Sequence, residues 1–167
     1  MELSEAIKRR RSIRRYKKEV PNDDLIKQCI EAACHAPSAH NSQPWKFVVV
    51  KDREKILGLS KTQPYSAFLA NAPVVIVALA EESKSPHHWV EDLSCAIMLF
   101  MLKATELGLG TCWNAVYSPE NQKREEYVRK LLGIPSKYRV LANIGLGFPN
   151  ERPGEKKIKS FEEAVNL

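Results

Sequence analysis

The sequence contains no run approaching the roughly 18 consecutive apolar residues that a membrane-spanning helix needs, and its opening, MELSEAIKRRRS, lacks the apolar middle of a secretory signal. Neither a membrane partner nor export is expected, and the location this implies is cytoplasmic. No CxxC pair occurs among Cys29, Cys34, Cys95 and Cys112, which all lie in segments of core-like composition. Free thiols in a reducing compartment follow, rather than a disulfide framework. A GxGxxG or Walker sequence is also missing, which argues against a Rossmann or P-loop nucleotide site. His35 and His40 are five apart and His87 and His88 are adjacent, so neither pair puts ligands on one helix face, and no metal is expected. Without GxSxG or an identifiable triad, no nucleophile for covalent hydrolysis stands out. Glu81 with Glu82, and Glu162 with Glu163, read as solvated charge.

What is present is enough for a core. A chain of 167 residues can bury about 70% of its unfolded surface. No repeat, linker or low-complexity tract divides it, so residues 1–167 read as a single domain. The net charge of +6 is uneven, because Lys8, Arg9, Arg10, Arg11, Arg14, Arg15, Lys17 and Lys18 crowd the first 18 positions. Such a cluster expects an anion, either nucleic acid or a phosphate-bearing cofactor. No groove-reading motif accompanies RRRSIRRYKK, which weighs against nucleic acid. Arg10, Arg11, Ser12 and Arg14 offer guanidinium forks and a hydroxyl within five positions, a set suited to phosphate.

Periodicity orders the elements. A short helix over 2–9 carries Leu3, Ala6 and Ile7. The first full helix follows Pro21, with Asn22 as N-cap, Asp23 and Asp24 in its first turn, and Pro37 as its stop. Residues 46–51, 72–80 and 139–147 are β-branched and nearly continuously apolar, as strands covered on both faces are, so helices are expected on both sides of the sheet. From Trp89 to Leu107 a helix is apolar most of the way round, Met98, Leu99 and Leu102 filling the face that its main stripe leaves. That pattern hints at a second subunit, and Gly108 stops the helix. LGLGTCWNAV (107–116) is open to two readings, a helix cap with a tryptophan packed on it or a backbone brought close to something flat. Ser118 and Pro119 are read as the start of another helix, ending at Gly133. From Glu151 a charged tail reads as an arm that needs a partner surface. APSAHNSQPW (36–45) is longer than a helix-to-strand connection requires, and its Trp45 is expected to anchor in the core.

The order of these motifs is more specific than any one of them. RRSIRRY, then APSAHNSQPWKFVVV, then a Leu/Ala-rich helix running into ELGLGTCW, then RVLANIGLGFP and a basic tail: the sequence resembles the nitroreductase family of FMN-dependent oxidoreductases. The resemblance implies an α+β, nitroreductase-like fold with a central, mainly antiparallel sheet flanked by helices on both faces. It implies an intertwined homodimer that exchanges its C-terminal arm, about 151–167, and holds two FMN sites at the subunit interface. By the same resemblance Arg10, Arg11, Ser12 and Arg14 hold the FMN phosphate and ribityl chain, with Arg14 reaching the pyrimidine edge. Pro37, Ser38, Ala39 and Asn41 reach over from the other subunit, and the turn containing Trp113, Asn114 and Ala115 lies along the ring. Lys157 completes the phosphate site, with Lys156 or Arg152 as alternatives. Many members place an Asn and a Lys before the second strand, where this chain has only Gln63 or Lys61 to offer. The implied reaction passes hydride from NADH or NADPH through FMN to a nitroaromatic, quinone or similar flat small-molecule acceptor by ping-pong exchange. It requires no side chain as catalytic acid, base or nucleophile. A flavin-sequestering protein of the same fold is the alternative.

Overall fold

The structure, a computed structural model, describes residues 1–165 and opens with α1 (Leu3–Arg9), the short helix the sequence expects. The side chain of Asn22 accepts a hydrogen bond from the Leu25 amide, so α2 (Asp23–Cys34) starts on its predicted cap. The chain then forms β1 (Trp45–Val50), α3 (Arg53–Leu59), a 3-10 segment over Pro64–Asn71, β2 (Val74–Glu81) and α4 (Trp89–Glu106). It continues through β3 (Gly110–Ala115), α5 (Lys123–Leu132), β4 (Tyr138–Gly147) and a one-turn α6 (Phe161–Ala164). All strand pairs are antiparallel, in the order β1-β2-β4-β3.

Strand alternation divides the core in two. Val74, Ile76, Ala78 and Ala80 of β2 pack under α2 and α4, whereas Val75, Val77 and Leu79 face Ile56 and Leu59 of α3, Leu69 of the 3-10 segment and Val128 of α5. β2 and β4 are therefore covered on both faces, as their unbroken apolar sequence requires. β1 is not. It is an edge strand whose only buried residue is Val50, while Lys46 and Val49 are exposed.

Three other expectations are corrected. Residues 110–115 are a strand rather than a turn. Here the glycines serve close packing: a Cβ on Gly110 would lie 2.8 Å from Ile13 carbons, one on Gly145 2.8 Å from the Tyr16 hydroxyl, and one on Gly147 2.7 Å from the Pro73 ring. The helix expected from Pro119 begins at Lys123, the intervening residues turning first, and ends at Gly133 as expected (φ +68°). Cys34 and Cys95 are exposed on the outer sides of α2 and α4, and only Cys29 and Cys112 are buried.

Nor is Glu82 merely solvated. It pairs at 2.7 Å with Arg139, which also grips the buried Glu125 through two bonds of 3.0 and 2.8 Å and lies over the Trp89 and Tyr117 rings. Glu81, in turn, pairs with Lys137 and Lys84.

α4 buries Leu93, Ala96, Ile97, Phe100, Met101 and Ala104 against the sheet. Full burial of such a side chain contributes about 1.5–3 kcal/mol, so this helix is the largest single source of cohesion on its face. Its outer stripe, Cys95, Met98, Leu99 and Leu102, is at helical spacing and only partly covered, with α1 leaning on its C-terminal half. In the tail, Ile158 and Phe161 are 78% and 70% exposed, and Ser160 and Glu163 close a capping box on α6. Positions 166 and 167 of the predicted arm lie outside the described residues.

Gly110→Ala should cost about 1–3 kcal/mol, because the added methyl meets the branch point of Ile13 rather than a flexible tip. Urea unfolding should show a lower midpoint with an unchanged slope.

Candidate functional site

After α1 the chain runs beside β3. Ser12 bridges Thr111 in parallel, the Ile13 amide donates to the Thr111 carbonyl at 2.9 Å, and Tyr16 bridges Pro149. Ile13 and Tyr16 point inward and are buried; Ser12, Arg14 and Arg15, between and beside them, are exposed. Burial of Ile13 and Tyr16 thus turns a compositional cluster into a rim of cations. The Arg11 guanidinium donates to the Lys8 carbonyl at 2.9 Å and Arg14 to the Ser12 carbonyl at 3.4 Å, with Arg14 also 6.0 Å from the Phe68 ring. Among the described residues no carboxylate pairs with the side chain of Arg10, Arg11 or Arg14. Glu151 is close, but it accepts the backbone amides of Arg14 and Arg15 and so pins the segment. Beneath the rim lies Cys112. Burial pushes its thiol above the usual range, against the pull of Arg14, Ser12 and Arg10.

The end of β3 belongs to the same region. Trp113 is half-buried on the α4 side, Asn114 is buried and accepts from the Ser66 hydroxyl at 2.9 Å, and Ala115 is exposed, its carbonyl accepting from Gln63 Nε2 at 2.7 Å. The 3-10 segment therefore links the arginine rim, through Phe68, to the strand end, through Gln63 and Ser66. Gln63 spends its amide on Ala115, whereas Lys61 is exposed. Phe68 and Ser66 gave no distinguishing signal in sequence. They are a phenylalanine and a serine in a segment without clear period.

The loop 37–43 lies elsewhere. The Ala39 amide donates to Asp92 Oδ1 at 2.9 Å and the Ser42 hydroxyl to Oδ2 at 3.5 Å, while Ser85 donates to the same Oδ2 at 2.6 Å. The Ser38 hydroxyl accepts from the Gln43 amide at 3.0 Å. Three non-glycine residues here hold left-handed backbone, His40 (φ +54°), Asn41 (φ +53°) and Gln43 (φ +44°). Each costs about 1–2 kcal/mol for an ordinary L-residue, less for asparagine. Trp45 ends the loop half-buried against the core, as expected.

Asp92 stands near the N-terminus of α4, and the arginine rim lies by its C-terminal end, where Arg9 and Arg11 line a cavity with Thr105 and Gly108. At about 1.5 Å per residue, Asp92 and Glu106 are about 20 Å apart along the axis. The structure brings Arg10, Arg11, Ser12 and Arg14 together with Trp113, Asn114 and Ala115. It keeps Pro37, Ser38, Ala39 and Asn41 away from them. Lys157 is exposed in the tail, as are Lys156 and Arg152. No cluster of three or more His, Cys, Asp or Glu suited to a metal occurs among the described residues, and no helix among them is long and apolar enough to cross a membrane.

The sequence matches the Nitroreductase family over residues 7–64 and 58–148. The chain belongs to the nitroreductase family. It is 41% identical over 161 residues to a provisionally named NADH dehydrogenase/NAD(P)H nitroreductase of Methanothermobacter thermautotrophicus, covering 95% of this chain and 83% of that one. An FMN-dependent nitroreductase from Clostridium difficile superposes with a TM-score of 0.84 at 36% identity, over 91% of this chain and 90% of the other. An iodotyrosine deiodinase of Thermotoga neapolitana is 30% identical over 176 residues, covering 89% of each chain. Nitroreductase-family membership therefore accounts for the four-stranded antiparallel sheet between helical layers.

Gln43→Gly should stabilise the chain by about 0.5–1 kcal/mol, the relieved left-handed strain exceeding the extra backbone entropy of glycine. The urea midpoint should rise.

Proposed function

We propose that the chain is an FMN-dependent NAD(P)H oxidoreductase acting as a homodimer. The observation that carries this reading is the division of the site. One copy holds a cationic rim and an edge strand at one end of α4 and a polar, strained loop at the other. A second copy in antiparallel contact along α4 would lay its loop over the first copy's rim.

The donor set fits FMN. Arg10, Arg11 and Arg14 form no ion pair with a described carboxylate, which suits a dianionic phosphate, and Arg10, Arg11 and Ser12 would hold that group and the ribityl chain. β3 is an edge strand from Trp113 to Ala115, and the alternate backbone groups it turns away from β4 suit the polar edge of a flat ring. Arg14, exposed and already beside the Phe68 ring, would hold negative charge at the pyrimidine edge. Lys157 would close the phosphate side. When bound, FMN supplies reversible hydride uptake from NADH or NADPH and its delivery, by ping-pong exchange, to a nitroaromatic, quinone or similar flat acceptor. The protein's share is to fix the ring, leave one face open and offset charge; no side chain acts as acid, base or nucleophile. The chemistry it houses suits a cytoplasmic protein with reduced thiols.

The purified protein should show flavin absorption bands, if need be after adding FMN, and NADH or NADPH should bleach them anaerobically. Absence of the bands sinks the proposal, and bands without turnover on any acceptor would leave a flavin-sequestering protein. Arg10→Ala with Arg14→Ala should weaken FMN retention by two orders of magnitude or more, two charge-assisted contacts at about 1.5–3 kcal/mol each, with the dimer intact. Cysteine labelling tests the dimer. At pH 8, Cys29, whose thiol burial pushes up to about 12, and Cys112 should be inert and Cys34 reactive. Cys95 should react only when Met98→Glu separates the subunits; rapid labelling of Cys95 in the native protein would contradict an interface along α4.

A further inference from the structure

Asp92 is a buried carboxylate, 5% exposed, with no cation paired to it among the described residues. It sits in the first turn of α4, where the helix dipole favours negative charge. Its two oxygens collect three donors, of which the Ala39 amide and the Ser42 hydroxyl belong to the loop and the Ser85 hydroxyl to the turn before α4. The loop it grips is the one holding His40, Asn41 and Gln43 in left-handed backbone. Without an external hold, a segment carrying that much strain relaxes. Ala39 lies beside the first strained residue and Ser42 between the second and third, so the carboxylate grips the loop where its shape is least favourable.

We propose that Asp92 is a positioning residue for the flavin: its carboxylate holds loop 37–43 in the strained form that packs on FMN bound mainly by a second copy. The proposal rests on the reading of the chain as an FMN-binding homodimer. Asp92 itself touches no cofactor. It works as an acceptor, fixing the Ala39 amide with one oxygen and, through Ser42 and Ser85, the direction of the other. An asparagine keeps the essential part, because its carbonyl oxygen can still accept from Ala39 while the two serine hydroxyls turn to accept from its amide. An alanine keeps none of it.

The test has two arms. In the flavin-free protein, hydrogen exchange should show the Ala39 and Gln43 amides protected, with protection lost in Asp92→Ala and kept in Asp92→Asn. In FMN titrations followed by flavin fluorescence, Asp92→Ala should raise the dissociation constant tenfold or more and Asp92→Asn by less than threefold. At saturating FMN, kcat of Asp92→Ala should return to within about threefold of the parent, which a collapsed fold would not allow. An Asp92→Ala protein that binds FMN within twofold of the parent overturns the proposal, as does equal weakening in both variants with equal loss of thermal stability. Should Asp92→Ala fail to fold, Ser42→Ala with Ser85→Ala strips two donors and should weaken FMN binding at least threefold; no change overturns the proposal. If the parent protein binds no FMN at all, the functional reading fails, and the exchange arm still reports whether Asp92 holds the loop.

Discussion

Because α4 lies along the sheet with its buried side against both central strands, the segments at its two ends are held about 20 Å apart whatever the rest of the chain does. At one end the arginine segment is pinned to β3 and Pro149; at the other the loop 37–43 is pinned to Asp92. Both attachments are to rigid elements, so neither segment can swing across. On the proposed reading, a single chain therefore carries two partial sites. The apolar stripe Cys95, Met98, Leu99 and Leu102 runs between them on the same helix, and covering it with a second copy turned end for end would join each rim to the other copy's loop. Hydrophobic burial and completion of the site are then consequences of one contact.

The rim is made by packing that has nothing to do with charge. Ile13 and Tyr16 press onto strand positions that only glycine can occupy, and the Tyr16 hydroxyl, whose pKa burial raises further, donates to the Ile13 carbonyl. With those two side chains inward, Arg14 and Arg15 are turned outward close to Arg10 and Arg11. Clustered like charges destabilise the folded state, and no acidic side chain of the described residues pairs with Arg10, Arg11 or Arg14. An anionic ligand relieves that repulsion. Binding at a hundred times its dissociation constant would contribute about 2.7 kcal/mol to stability.

Most of the layer architecture was legible in the sequence because it follows from local signals: the Asn22 cap, the apolar stripe of α4, the β-branched runs of β2 and β4, and Gly133 past the end of α5. The misreadings share a physical origin. β1 and β2 have similar composition, and only their pairing partners decide which is an edge. Gly110 was open to a helix cap or a close backbone approach to something flat, because a glycine that lets a side chain approach and one that serves either of those ends are the same letter. Pro119 is a sound first-turn residue, but the turn it starts is not continued for four positions. At the proposed site, the arginines and the loop come from motif order, whereas Ser66, Phe68 and Asp92 make contacts with residues 48 to 54 positions away in the chain.

Asp92 shows why such residues escape a linear reading. In sequence it is an ordinary acid in the first turn of an amphipathic helix, where the dipole alone would justify it. Exposed in that role it would contribute a few tenths to 1 kcal/mol. Buried, it loses hydration and must be repaid by hydrogen bonds, and two of the three donors that repay it come from a loop whose own backbone is unfavourable. Strain of order 3 kcal/mol over three residues is comparable to what hydrogen bonds to a carboxylate return, so the loop's shape and the buried acid support one another. A pair balanced that closely adds little to folding. What it fixes is a shape at the surface, and backbone strain of this kind clusters at ligand clamps and active sites, which is the physical ground for placing the proposed contact there.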